Sequence, residues 1–485
     1  MTVKRPVVAV AVLVAALSVL IASPALAVIA TWTTPVDVSV SALTSAGPDV
    51  TVDSTGRAIA VWHRQSGLNE IVQSSTSVNG AAWSTPVNVS VLGNDAVYPR
   101  VTVDSTGRAI AVWRRTDGVN WIVQSSTSIN GAAWTIPVNL SLGGQDAAVP
   151  QVTVDSTGRA TAVWTRSNGS DNMIQSSWSV NGAAWSTAVD LSVATKSAYD
   201  PQVSVDSTGR AIAVWMRDNG VNYVVQSSTS LAGGAWSAPV DLSAAGQDVM
   251  SPQVSVDSTG RATAVWPRFN GIHYIIQSST SLNGAAWSTP ADLSVIGRSA
   301  DYPQVTSDST GLATAVWYRH NGSNNIIQSS TSLNGAAWST PVDLSATLRN
   351  AENPQVTVDS TGLATAVWNR NDGSNTIIQS STSLSGSTWT APVDLSATGA
   401  DANSQQVTVD SAGRATAVWQ LTGAGSGVIQ SSTIFSAPPA GAAKAALAAT
   451  GTDATTLGLV AGGGALLVLT GLLVVIGSRR RRAQR

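Results

Sequence analysis

The chain has 485 residues, of which 43% are hydrophobic and 11% charged, with a formal net charge of −2 and no cysteine. The missing cysteines exclude a disulfide framework, so an exported chain of this kind must draw its stability from packing. The only basic tract is Arg479–Arg482 near the C-terminus, which leaves the rest without the electrostatic footprint of a nucleic-acid binder.

Residues 1–27 read as a secretory signal. Lys4 and Arg5 form the charged start, Val7 to Ile21 the apolar run, and Ala25-Leu26-Ala27 the small-residue cleavage site. Removing it takes two positive charges.

From residue 28 to 433 the chain repeats. Aspartates recur every 51 residues at Asp53, Asp104, Asp155, Asp206, Asp257, Asp308, Asp359 and Asp410. One tryptophan series runs from Trp62 to Trp419 and a second from Trp32 to Trp389, both at the same period. A period near 50 with β-like patterning marks a stacked or radial repeat.

The unit Pro252–Ser294 shows what each copy builds. Strand a is predicted over Gln253–Val256, strand b over Arg261–Trp266, strand c over Tyr274–Ser281 and strand d over Trp287–Ser294. Asp257-Ser258-Thr259-Gly260 and Asn283-Gly284 supply hairpin turns between them. Short links make an antiparallel meander, and four-stranded units repeated radially make a β-propeller. Eight markers predict eight blades. The mature chain opens on a lone strand d around Trp32–Asp37, while the last unit stops after strand c near Thr433. The first strand should therefore complete the last blade and close the ring, removing its open edges. A single unit of this size buries too little to fold alone.

Several repeated residues read as structural. The Asp257 series should accept backbone N–H groups within its own turn; one carboxylate per turn is far short of a calcium site. Both tryptophan series should pack between blades. Arg64, Arg115, Arg166, Arg217, Arg268, Arg319 and Arg370 follow the first tryptophan series, with Leu421 in the eighth copy. They could ring one mouth of the propeller or pair with carboxylates such as Asp292. Gln277 and its equivalents are expected to satisfy strand edges or a partner blade.

The copies differ in the b–c and d–a loops, which share one face. After the tryptophan stand His63, Arg114, Thr165, Met216, Pro267, Tyr318, Asn369 and Gln420. At the entry to strand c stand Glu70, Trp121, Asn172, Tyr223, Tyr274, Asn325, Thr376 and Gly427. Aromatics beside amides suit both sugar recognition and protein interfaces. We take His63, Arg64, Glu70, Arg115, Trp121, Tyr223, Tyr274, Tyr318 and His320 as candidate ligand-binding residues. Glu70 and Glu352 are the only glutamates and lie in blades that are not neighbours, so a two-carboxylate glycosidase site is not expected. Three scattered histidines argue against zinc, no cofactor motif is present, and no Ser-His-Asp set has suitable spacing. The expectation is a binding module and not an enzyme. A multivalent carbohydrate-binding or adhesin role leads, with a protein-interaction scaffold and a sialidase-like hydrolase as alternatives.

Residues 434–446 read as a linker. Leu457 to Ile476 is an apolar run long enough to span a bilayer, ended by Arg479–Arg482 in the positive-inside sense. With Leu447-Ala448-Ala449-Thr450-Gly451 before it, this tail resembles the LAXTG cell-wall sorting signals of Gram-positive bacteria. The resemblance covers residues 447–485 and implies sortase as the processing partner. It implies cleavage between Thr450 and Gly451, then covalent attachment of Thr450 to peptidoglycan, with the membrane contacted only before sorting. Losing Lys4 and Arg5 with the leader, then Asp453 and five arginines with the tail, takes the net charge from −2 to −8. The repeats also resemble those of sialidase-type propellers, whose turn reads S-x-D-x-G-x-T-W, and of lectin propellers. Here Ser255–Trp266 has one more residue between Asp and Gly and a more distant Trp, so no residue role is carried across.

Overall fold

The computed structural model describes residues 31–435, apart from 42, 183, 424 and 425; the predicted signal, linker and sorting tail lie outside the described residues. Among the described residues, thirty-two strands form eight four-stranded antiparallel sheets, an all-β eight-bladed propeller. In blade 1, strands a to d are Ser45–Val52, Arg57–Ser66, Asn69–Val78 and Val87–Asn88, paired in that order.

Blade 8 takes strands a to c from Asp401–Val409, Arg414–Gly423 and Ser426–Phe435, and strand d from Val36–Asp37 at the other end of the chain. The register sets Val36 against Ser431 and Asp37 against Gln430. Gln430 Nε2 donates to Asp37 Oδ1 at 2.9 Å, and the Ile429 N–H donates to Ser39 Oγ at 2.9 Å. The a–b turns are also linked between blades: serine hydroxyls donate in turn from Ser54 to Ser105 O as far as Ser258 to Ser309 O, and Ser411 Oγ of blade 8 donates to Ser54 O of blade 1 at 3.2 Å.

Strand b explains the seams. In Arg57–Ser66, Ala58, Ala60 and Trp62 alternate with Ile59, Val61 and His63, and all six are buried. Trp62 packs with Val418 and Ile429 of blade 8, whereas Ile59 and Val61 pack with Ala109, Ala111 and Trp113 of blade 2. Each seam thus joins one blade's β-branched face to the next blade's Ala-Ala-Trp face. Small residues make room for the indole, as close packing requires. All eight tryptophans of this series are 0% exposed, and each contributes about 4–6 kcal/mol of transfer free energy as an upper bound. Three members of the second series bond across the outer seam, as Trp134 Nε1 donating to Ser74 Oγ of the preceding blade at 2.7 Å.

The turn aspartates are structural. Asp53 Oδ1 accepts from the Thr55 N–H, the Thr55 hydroxyl and the Arg57 N–H at 2.7–2.9 Å. The glutamine series bonds within its own blade rather than to a neighbour, as Gln277 Nε2 to Asp292 Oδ1 at 2.7 Å. That bond engages one carboxylate oxygen, and Arg268 Nη2 stands 4.0 Å from the same oxygen. Strand d is shorter than predicted, Ala291–Asp292 against Trp287–Ser294; it is equally short in blade 3, Val189–Asp190, where Ala188 replaces the proline. Strands b and c run longer, to Phe269 and Leu282.

One feature had no counterpart in the sequence reading. Strand a carries a bulge, with a register shift between Ala46 and Asp49 in blade 1. The bulge residues Gly47, Tyr98, Val149, Asp200, Ser251, Tyr302, Asn353 and Ser404 all have positive φ. Beyond the bulge, Asp49, Arg100 and six glutamines, Gln151 to Gln406 at the repeat period, ring an axial cavity of about 220 Å3. Asp49 Oδ2 accepts from the Val101 N–H at 2.8 Å, and Asp49 Oδ1 stands 3.9 Å from Arg100 Nη1.

Candidate functional site

The b–c and d–a loops adjoin, as the Gln65 N–H to Thr44 O bond of 2.9 Å shows. Loop d–a also pins the start of strand c in the blade before it: Asp95 Oδ1 accepts the Glu70 N–H at 2.8 Å, and Asp146 Oδ1 the Trp121 N–H at 2.8 Å. A β-bulge re-aims its side chain, and here Tyr98 is set against His63 and Tyr302 against Tyr318. Tyr98 and Tyr302, both bulge residues, are 57% and 55% exposed.

At the seam of blades 1 and 2 this arrangement gathers five distinctive side chains. His63 Nε2 lies 3.7 Å from Glu70 Oε1. The Tyr98 ring is 5.5 Å from that of His63. Arg114 Cζ sits 4.8 Å from the centre of Tyr98 and 4.3 Å from that of Trp121, both cation–π contacts. Burial, reinforced by Arg114, lowers the His63 pKa to about 4, so the ring is neutral at physiological pH. Burial and the neighbouring Asp95 raise Glu70, opposed by Arg114. The His63–Glu70 contact is therefore a neutral imidazole beside a carboxyl group, not an ion pair. His63 Nδ1 and Arg114 Nε are buried without hydrogen-bond partners. A neutral base, a guanidinium and a phenol thus stand together at one seam, the ingredients of proton transfer.

A second gathering spans blades 6 and 7. Tyr302 stacks on Tyr318 at 5.7 Å, and Asn325 Nδ2 donates to Glu352 Oε1 at 2.7 Å. Burial, then Asp301 and Glu352, push the Tyr318 hydroxyl well above its ordinary pKa; burial also raises Asp301. A cavity of about 140 Å3 opens beside Glu352 and Asn369.

The remaining expected residues lie apart. Tyr223 contacts Tyr199 edge-on at 6.2 Å and Tyr274 contacts Phe269 at 5.3 Å, so with Trp121 they occupy three separate blades and form no joint platform. One face of Trp121 is covered by Arg114. Arg64 and Arg115 alternate away from their neighbours His63 and Arg114 along strand b, and their Nε atoms are buried without partners. His320 Nδ1 accepts the Gly322 N–H at 3.2 Å, a turn contact. Tyr98 and Arg114 join the site although neither is among the residues expected there. Tyr98 had a usable signal: proline follows the bulge position in seven of the eight blades.

No protein-family model matches the chain, and no curated protein does. Solved structures do match. A ulvan lyase of a new polysaccharide lyase family, solved with a GlcA(1-4)Rha3S segment bound, aligns over 73% of this chain and 96% of its own at 10% identity and a TM-score of 0.50. Another polysaccharide lyase aligns over 80% and 89% at 9% identity and a TM-score of 0.47. A Dyadobacter fermentans protein of unknown function covers 84% and 99% at 11% identity and a TM-score of 0.44. At such identities the shared feature is the propeller. This corrects the expectation that the chain is not an enzyme: a lyase is built on the same propeller. That expectation rested on carboxylates scattered in sequence, whereas the seams join residues of consecutive blades.

Proposed function

We propose that the seam of blades 1 and 2 binds an acidic polysaccharide and cleaves it by elimination at a uronate residue. The supporting observation is His63, neutral, buried and with its Nδ1 lacking a hydrogen-bond partner, beside Arg114 and Tyr98. Arg114 would hold the uronate carboxylate, and its charge would stabilise the electron density that develops there on loss of the adjacent proton. His63 would take the proton from the carbon next to the carboxylate. The carbon–oxygen bond to the neighbouring sugar breaks as a carbon–carbon double bond forms, and the Tyr98 hydroxyl would protonate the leaving oxygen. Glu70 would orient His63 and balance the imidazolium. The step needs no further reactant. The fold supports the reading, since a ulvan lyase solved with a GlcA-containing segment is a propeller of the same kind. The test is ultraviolet absorbance of unsaturated uronate product on incubation with alginate, pectate, hyaluronan or ulvan; its absence on every acidic polysaccharide would reject the proposal.

A second reading rests on blades 6 and 7. Asp301, its carboxyl raised by burial, and Glu352, held by Asn325, supply the acid and base of a glycoside hydrolase. Hydrolysis would release reducing ends without unsaturated product.

We further propose that the protein is exported by residues 1–27 and attached to the wall through Thr450, holding its glycan at the cell surface in an adhesin-like manner. The supporting observation is the order of LAATG, apolar run and basic end. Thr450→Ala should move the protein from the wall fraction to the membrane fraction; unchanged wall attachment would contradict it.

A further inference from the structure

On the uniform face, one seam departs from the repeat on both of its sides. Strand c reads Gln-Ser-Ser-Thr in seven blades, but in blade 3 the threonine is Trp178. The same seam departs on its other side: where the c–d turns of blades 1, 2, 3, 5 and 6 read Asn-Gly-Ala, blade 4 has Ala232-Gly233-Gly234. Trp178 lies flat against that turn, since a Cβ on Gly233 would sit 3.0–3.3 Å from three indole ring atoms. Ala232 keeps the left-handed φ of +53° that asparagine takes elsewhere, an uncommon conformation for alanine. A large side chain has thus been added on one blade and two have been trimmed on the next.

The result is a groove of about 500 Å3 at the outer seam of blades 3 and 4, lined by Trp178, Trp236, Ser176, Ser186 and Asp190 among others. That volume falls within the roughly 300–1,000 Å3 of small-molecule sites. In three other seams the corresponding indole N–H closes on the serine hydroxyl: Trp83 on Ser431, Trp134 on Ser74 and Trp338 on Ser278, each at 2.7 Å. Among the described residues no such bond joins Trp236 to Ser176. The seam of blades 7 and 8, halfway round the ring, has a matching groove of about 480 Å3 between Trp32, Thr382 and Asp394. There the Ser380 hydroxyl is fully buried without a partner.

We infer that the groove of blades 3 and 4 is a non-catalytic binding site for the ring of a neutral saccharide. Two indoles line the groove and give apolar surface for the C–H face of a pyranose, Trp178 with Gly233 against it and Arg159 Cζ 5.4 Å from its ring centre. Asp190 has one oxygen engaged by Gln175 Nε2 at 2.8 Å, and its other oxygen accepts sugar hydroxyls. The carboxylate excludes anionic sugars by repulsion, which makes the site complementary to, and independent of, the acidic site proposed at blades 1 and 2. The groove of blades 7 and 8 lacks the second indole and is the weaker counterpart.

The test is calorimetric titration of the full-length protein with neutral hexasaccharides of glucose, mannose, xylose and N-acetylglucosamine. Trp178→Thr restores the residue of the other seven blades, and Asp190→Asn restores that of blades 1 and 2, so both should fold and melt as the parent does. Binding of at least one neutral hexasaccharide is expected, about tenfold weaker in Trp178→Thr. Asp190→Asn should also weaken it and lower the discrimination against an acidic hexasaccharide. His63→Asn should leave this binding unchanged, which separates its failure from failure of the acidic site. No neutral saccharide bound at millimolar concentration, or equal affinity in Trp178→Thr, would overturn the inference.

Discussion

Gly47 lies directly against His63. A Cβ on Gly47 would come within 2.8 Å of His63 Cε1, and the φ of Gly47 is +57°. The one glycine among the bulge positions faces the one histidine that follows a seam tryptophan. The other bulges carry side chains, so the positive φ alone does not demand glycine; the imidazole does. Gly47→Ala should therefore displace His63 and cost about 1–3 kcal/mol through clash and left-handed strain. Gly47→Ala combined with His63→Ala should recover most of the clash component. Denaturant melts of the two variants and the double variant measure that coupling.

Stability should fall in mild acid because of His63. Its folded-state pKa, about 4, lies below the ordinary 6.5. Unfolded chains take up the proton as pH drops through 6.5, and the folded protein does so only near 4. The contribution of His63 is thus present above about 6.5 and is lost progressively toward 4, by up to ~3 kcal/mol. Glu70, raised by burial, acts in the opposite sense and reduces the net change. His63→Gln should flatten the melting temperature between pH 6.5 and 4 relative to the parent. An equal slope in both proteins would show that other groups set it.

The two kinds of tryptophan should separate cleanly. Trp215 is 0% exposed and packs on Val163 and Ile174 of the preceding blade. Trp215→Ala should cost about 3–5 kcal/mol. Trp121 stands at the rim under Arg114, and Trp121→Ala should cost less than about 1 kcal/mol. Chemical denaturation gives both values.

Closure of the ring is testable by truncation. Removing residues 1–39 deletes the strand that pairs with Ser426–Phe435 and exposes the edge carrying Gln430 and Ser431. The truncated protein should melt lower and self-associate through that edge. A monomeric, equally stable product would mean that strand d of blade 8 is dispensable.

The architecture was legible in the sequence because each blade repeats its turn chemistry and seam residues without insertion. Asp257, Gly260, Asn283 and Trp266 each sit in the role their spacing implies. The candidate site was legible only in part. His63, Glu70 and Trp121 stood out as variable residues, but their company depends on the strand-a bulge, whose own residue varies among Gly, Tyr, Val, Asp, Ser and Asn and whose mark in the sequence is the proline that follows it in seven blades. Arg64 and Arg115 were attractive as a repeated charge, yet strand alternation turns them away from the residues they follow. Trp178 was visible as a break in Gln-Ser-Ser-Thr but acquires meaning only beside Gly233 of the next blade.

The central claim is tested most directly by one assay. The full-length protein is incubated with uronate-containing polysaccharides, and formation of unsaturated uronate is followed by ultraviolet absorbance, with His63→Asn and Arg114→Met as comparisons. We expect product from the parent, with the rate reduced at least a hundredfold in His63→Asn and a raised KM in Arg114→Met. Product formed equally by His63→Asn, or by neither protein on any acidic polysaccharide, would contradict the assignment.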